Sequence, residues 1–213
     1  MNKPKQEIES GNWFADLILS FSPDSPTVDG TPEDMIKTAS RKAFLVSTAA
    51  GVVPGPWGWT TILPEIIAVT KIQIDLIHSI AAYYKKHAQL TPSLTLLIFA
   101  GQVKIQIGKN VARNTAGKFI VREMTKKTAR HVAQRVGAAI GVKITARALG
   151  RMIPFVLAPV FGLMSKSMTT DIGNEAIKIF NQNLEIIKIK KCINGHETDE
   201  DLSICTECQS PLH

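Results

Sequence analysis

The chain has 213 residues, a net charge of +7, 45% apolar residues and only 6% aromatics. That length carries one main domain with its own core plus a small appendage, and the Ala-, Ile- and Leu-rich composition favours helix. The N-terminus has no basic start leading into an apolar run, so no secretory signal is expected, and three cysteines suit reduced cytoplasmic thiols better than a disulfide framework.

In chain order, a first helix is expected over 5–20, on an N-terminal segment of 1–30 that ends in a linker. "GTPEDMIK" opens the second, over 32–50, with Thr31 as N-cap, Pro32 at the first helical position and Glu33 and Asp34 in the first turn. The third, over 61–87, carries Lys71, Asp75, His78 and Lys85 on one narrow stripe and apolar residues over the rest of its circumference, which places it at the centre of a bundle. His78 reads as a stripe residue beside Asp75, and Glu65 as either a first-turn carboxylate or a functional buried acid. Thr91 and Pro92 repeat the Thr-Pro start for a helix over 92–107. Helices over 112–149, either continuous or broken near Gly137, and over 169–189 follow. Sustained alternation with hairpin turns is missing, so no sheet is expected in the main domain.

Two stretches invite a membrane reading. Residues 43–70 carry one charge, Glu65, but are interrupted by Pro54, Gly55, Pro56 and Gly58; residues 152–164 carry none but fall short of the ~20 residues of a spanning helix. They read either as buried core hairpins or as elements that dip into a bilayer. The glycines of "GVVPGPWGWTT" match no phosphate-binding loop, and Trp57 and Trp59 are candidates for packing or membrane contact.

Within these stretches, "TAAGVVPGPWGWTTILPEIIAVTKIQIDLIHSIAAYY" resembles the first signature of the EcsC family: a small-residue helix end, a Gly-rich turn, an acid opening a long apolar helix, then "IA" and an aromatic. "GRMIPFVLAPVFGLMSKSMTTDIGNEAIKIF" is similar to its second, with an Ile-Pro start and an "IG..A...F" ending. The resemblance implies a mainly bacterial, α-helical domain over about 31–189, named from an operon with a membrane transporter and of poorly defined biochemical role.

Charge is concentrated: residues 102–151 hold twelve Lys/Arg against the single acid Glu123. Lys118, Arg122, Lys126 and Arg130 recur every four residues, as do Lys143, Arg147 and Arg151, and on a helix each set forms a stripe. Ala129, Ala133, Gly137, Gly141 and Thr145 form a parallel series of small residues that lets another helix approach. The stripe reads as a solvated face or as an anion-binding face, for acidic headgroups or nucleic-acid phosphates.

The tail from about 190 holds all three cysteines. Cys192-x3-His196 and Cys205-x2-Cys208 give two short ligand-bearing turns, the usual framework of a structural Zn2+ site, with His213 as a competing ligand and Gln209 where such a turn commonly has Gly. Four protein ligands would close the shell of one zinc per chain. The acids of "ETDED" between the turns invite docking on the protein's own basic stripe. G-x-S-x-G, H-E-x-x-H and Cys/His pairs outside the tail are missing, so neither an enzyme nor a small-molecule substrate is expected.

The sequence thus points to an all-α multi-helix bundle with a small C-terminal zinc-ribbon-like module over 190–213. Its expected role is non-enzymatic: a cytoplasmic protein held at the inner face of a membrane through anionic headgroups. The alternatives are an adaptor for nucleic acid or a protein partner and, further off, a membrane-disrupting effector.

Overall fold

The structure, a computed structural model, describes residues 3–20, 26–50, 58–103, 111–115, 117–148, 158–194, 196–199, 204 and 208–210. Its helices are α1 (Lys3–Ser10), α2 (Asn12–Ser20), α3 (Pro32–Ala50), α4 (Gly58–Tyr83), α5 (Pro92–Gln102), α6 (Lys126–Ala148) and α7 (Ala158–Phe180). Among the described residues there are also five short strands: β1 (Ala112–Thr115), β2 (Lys118–Arg122), β3 (Asn183–Ile187), β4 (Ile189–Lys191) and β5 (Glu197–Asp199). The fold is mostly helical, as expected, but it is not free of sheet.

Helix starts follow the capping chemistry. The Thr31 hydroxyl accepts from Asp34 N at 3.3 Å while the Asp34 carboxylate accepts from Thr31 N at 3.1 Å, a reciprocal cap that fixes the start of α3. These bonds to Thr31 hold the Asp34 carboxyl below its ordinary pKa. At α5 the Thr91 hydroxyl accepts from Leu94 N at 3.3 Å. Thr125 does the same for Thr128 N at 3.0 Å, so α6 begins at Lys126 rather than near 112.

The helix expected over 5–20 is two helices, because Gly11 takes φ +68° between them. A Cβ at Gly11 would lie 2.0 Å from Gln134 O, so the backbone of α6 lies against this break. The small-residue series makes that approach possible: a Cβ on Gly137 would meet Phe14 Cβ at 2.5 Å, and one on Gly141 would meet Ile8 O at 2.6 Å. Ala129 and Ala133 are buried along the same seam.

α4 occupies the centre of the bundle, with Ile62, Ile66, Ile74, Ile77 and Ile80 buried and Lys71 and Asp75 exposed on the polar stripe. It is long and apolar enough to cross a membrane by length and composition, and just over half of it is covered by its neighbours. α7 packs antiparallel to α3 and parallel to α4: a Cβ on Gly162 would meet Thr48 Oγ1 at 2.3 Å, and one on Gly173 would meet Ile36 Cγ1 at 2.4 Å and Leu76 Cδ2 at 3.2 Å. The same arrangement brings the Gln73 amide to the Thr169 hydroxyl at 3.2 Å.

Two expectations about α4 change. It begins at Gly58, so Glu65 lies in its third turn and has no first-turn role; the carboxylate is buried, at 9% exposure. His78 pairs with His87, in a single 3₁₀ turn, at 3.1 Å between Nδ1 and Nε2, and burial, followed by the charge of His87, pulls its pKa down to about 4. Next to His87, the Lys86 ammonium donates to Phe180 O at 2.8 Å and to Gln182 O, satisfying carbonyls at the end of α7.

The expected absence of sheet is overturned. β1 and β2 pair antiparallel with Thr115 opposite Lys118, and Gly117 takes φ +80° in the turn. β3 joins β2 in parallel, Lys118 opposite Asn183 through Arg122 opposite Ile187, after a crossover through α6 and α7. Val121 and Leu184 point into the core, which supplies the reason for the sheet: the two short alternating segments each bury one face on the helices. Ser93 Oγ accepts from Met124 N at 2.8 Å and ties the end of this sheet to α5.

Glycine substitutions separate close approach from helix propensity. Gly137→Ala is expected to lower stability by about 2 kcal/mol through overpacking against Phe14 and Gly11. Gly101→Ala, whose Cβ would find only ordinary contacts to Glu175 from 3.6 Å, should be neutral or gain up to about 1 kcal/mol. Urea unfolding of both variants checks the packing; equal effects would contradict it.

Candidate metal centre and basic segment

β4 and β5 form an antiparallel hairpin, Ile189 opposite Asp199 through Lys191 opposite Glu197. The ladder closes at Cys192, whose N–H donates to His196 O at 3.0 Å. This knuckle carries both residues to one place, and Cys208 joins them: the ligand atoms of Cys192, His196 and Cys208 all lie within 4.8 Å of one another.

The two thiol sulfurs are 3.5 Å apart. A disulfide would bring them to ~2.05 Å. Tetrahedral coordination with metal–sulfur bonds of ~2.3 Å separates two thiolates by roughly 3.8 Å, so the observed spacing, that of a thiol–thiol contact, is close to what two ligands of one ion would need. The donor set of two sulfurs and an imidazole therefore fits a metal. Cys208 is drawn to a pKa of about 5, first by hydrogen bonding to the Ser210 hydroxyl, then by His196, and with a smaller part from Asn194. Its sulfur lies 3.3 Å from Ser210 Oγ. The thiolate, the form that ligates, is thus favoured. Cys192 is buried and His196 half-buried, which limits access of water to the group.

Cys205, Gly195 and His213 lie outside the described residues, as do the side chains of the acidic loop, so the fourth ligand and the docking of "ETDED" are not decided by geometry. Gln209 takes φ +54°. This is the left-handed conformation for which glycine is the usual residue, and it explains how a knuckle without Gly is built after Cys208.

The basic residues do not form one helical stripe. Lys118 and Arg122 sit on β2, Lys126 and Arg130 on the first turns of α6, and Lys143 and Arg147 on its last turns. Lys118 lies 3.8 Å from Glu185 and Arg130 2.8 Å from Asp16, so both are engaged within the protein. Lys126, Lys127 and Arg135 are exposed. At 1.5 Å per residue, Lys126 and Arg147 stand roughly 30 Å apart along α6. The side chains of Lys143 and Arg147 are outside the description, as are Arg151, Trp57 and the side chain of Trp59, which stands in the first turn of α4. Sequence spacing missed the separation because a four-residue repeat reads as helix even where it runs through a strand.

Relief of the left-handed strain gives a direct check on the knuckle. Gln209→Gly should hold metal about fivefold to tenfold more tightly against a competing chelator, since the conformation costs a non-glycine residue about 1 kcal/mol. Gln209→Val should weaken retention. Identical retention by all three proteins would remove the knuckle geometry from the account.

Comparison with protein-family models, with curated proteins and with solved structures gives no match to this chain. The functional reading therefore rests on the residues above.

Proposed function

We propose that this protein is a non-enzymatic, EcsC-like helical protein that docks end-on against an anionic membrane surface, and that its tail is closed by one structural zinc ion. Zinc is the metal that two or three thiolates and one imidazole select, and Cys205, spaced two residues before Cys208 in the manner of a ribbon knuckle, would complete the shell with Cys192, His196 and Cys208. Four protein ligands leave no open position, so the ion supplies folding free energy rather than chemistry.

The observation that carries the membrane reading is a set of exposed apolar side chains at one end of the bundle. Leu45 is 64% exposed near the end of α3, Leu163 58% and Val160 53% at the start of α7, and Val142 54% on the last turns of α6. Scattered singly they would need no explanation, but the helix directions gather them at one end. The same end receives the start of α4, with Trp59, and the last turns of α6, with Lys143 and Arg147. Exposed apolar side chains on an end whose helices also carry Lys and Arg in sequence are the composition that binds an acidic interface. Lys126, Lys127 and Arg130 lie too far along α6 to share a flat contact with this end.

Vesicle binding tests the end-on geometry. Flotation with phosphatidylglycerol-containing vesicles at low salt should retain the protein, and pure phosphatidylcholine should not. Replacing Lys143 and Arg147 by Gln is expected to weaken retention about 30-fold, at ~1 kcal/mol per charge near the surface, while replacing Lys126 and Lys127 leaves it nearly unchanged. Failure to bind acidic vesicles, with tight retention of RNA or DNA, would replace this reading by a nucleic-acid adaptor.

A further inference from the structure

The connection from α4 to α5 holds two imidazoles and a strained turn that neither the Cys/His cluster nor the exposed apolar end uses. α4 closes in a paired C-cap, with Lys86 N donating to Ala81 O at 2.7 Å and Lys85 N to Ala82 O at 2.9 Å. Lys85 takes φ +59° in that cap, the left-handed region that favours glycine, so the turn needs outside contacts to hold it. Two side chains supply them. The Lys86 ammonium donates to Phe180 O at 2.8 Å and to Gln182 O, where α7 gives way to β3. His87 Nε2 lies 3.1 Å from His78 Nδ1 on α4, with the rings edge to face.

A bond between two imidazoles needs one facing nitrogen that carries a proton and one that does not. One added proton leaves the bond intact. When both rings are imidazolium, both facing nitrogens are donors, and two like charges meet in a half-buried place. Burial, then the charge of His87, already holds His78 down to about 4. Other charges nearby are engaged elsewhere. Burial raises the Asp75 carboxyl of α4 against Lys42 of α3 and Lys71, and burial followed by Glu33 of α3 raises the Tyr84 hydroxyl. Glu175 and Lys178 of α7 lie 3.7 Å apart, Asp16 of α2 pairs with Arg130, and α5 has no charged residue. None of these, nor Glu7 of α1, acts on His78.

We propose that the His78–His87 bond is an acid-released latch. Protonation of both rings ends the bond, residues 84–91 leave their seat with Lys86, and the carbonyls of Phe180 and Gln182 at the root of β3 lose their cation. Falling pH drives the release. At pH 5 the seated His78 is still neutral, whereas a freed imidazole, with its ordinary value of 6.5, takes up a proton. The open state thus binds more protons, so closure is fully favoured above about pH 6.5 and is lost as the pH falls toward 4. The latch depends on neither membrane docking nor a bound metal.

Hydrogen–deuterium exchange of the full chain at pH 7 and pH 5, corrected for the intrinsic pH dependence of amide exchange, tests it. The amides of Lys86, Gln89 and Leu90 bond to Ala81 O, Lys86 O and His87 O. Their protection should fall about 20-fold at pH 5, the factor set by a fall in pKa from 6.5 to about 4, and should return at pH 7. His87→Gln is expected to keep its protection at pH 5, because an amide oxygen accepts from a protonated His78. His78→Gln makes the same test from α4 if the first variant does not fold. Acid also protonates the Cys/His cluster, so the comparison is read at residues 84–91 and not in the tail. Unchanged protection of the parent protein at pH 5, or an equal loss in the glutamine variants, would overturn the latch.

Discussion

The close approach of α7 to α3 and α4 is the constraint on which the rest of the structure depends. At Gly162 and Gly173 no side chain could stand between these helices without displacing Thr48, Phe44 or Ile36. With α7 seated there, the end of α3 and the starts of α4 and α7 are brought to one end of the bundle, and the polar faces of Ser47, Glu65 and Ser165 are turned toward one another around a cleft. The same placement determines the sheet. β3 leaves the far end of α7 directly and finds β2 beside it, which is why a helical protein contains a parallel pair of strands. A second glycine seam, at Gly137 and Gly141, holds α1 and α2 on the outside of α6.

The place of the tail follows from the sheet. Only Lys188 separates β3 from β4, so the hairpin that leads to Cys192 and His196 begins where the sheet ends. Such a short hairpin has little apolar surface of its own, and Ile193 and Ile204 are largely exposed. An ion held by the cluster of Cys192, His196 and Cys208, as proposed, would contribute the free energy that a core otherwise supplies. Ser210 and Asn194, which favour the Cys208 thiolate, extend the site beyond its ligands.

The legible parts of the fold are those encoded locally. Thr31-Pro32 and Thr91-Pro92 mark helix starts through bonds made within four residues, and the apolar circumference of α4 announces its central position. The Cys/His cluster is legible because ligand spacing is itself a local pattern. The sheet is not, since Lys118 opposite Asn183 is a long-range pairing and strands of four or five residues leave too short an alternation to read. Lys and Arg recurring every four residues reinforced the helical reading of 112–122, where Gly117 and the run Phe119-Ile120-Val121 were the strand signals. Of the two readings of Glu65, the start of α4 three residues earlier than expected removes the first-turn one and leaves a buried acid. The handedness of Gln209 carried no sequence signal at all, because glutamine does not announce a left-handed turn.

The proposed membrane docking depends on which end of the bundle is apolar. The most direct measurement is hydrogen–deuterium exchange of the intact protein with and without phosphatidylglycerol-containing vesicles, since it reads the contact surface without altering the chain. The account predicts slower exchange at the end of α3 and the start of α7, around Leu45 and Leu163, with the first turns of α6 around Lys127 and Arg130 unchanged. Protection confined to those first turns, or none at either end, would contradict it.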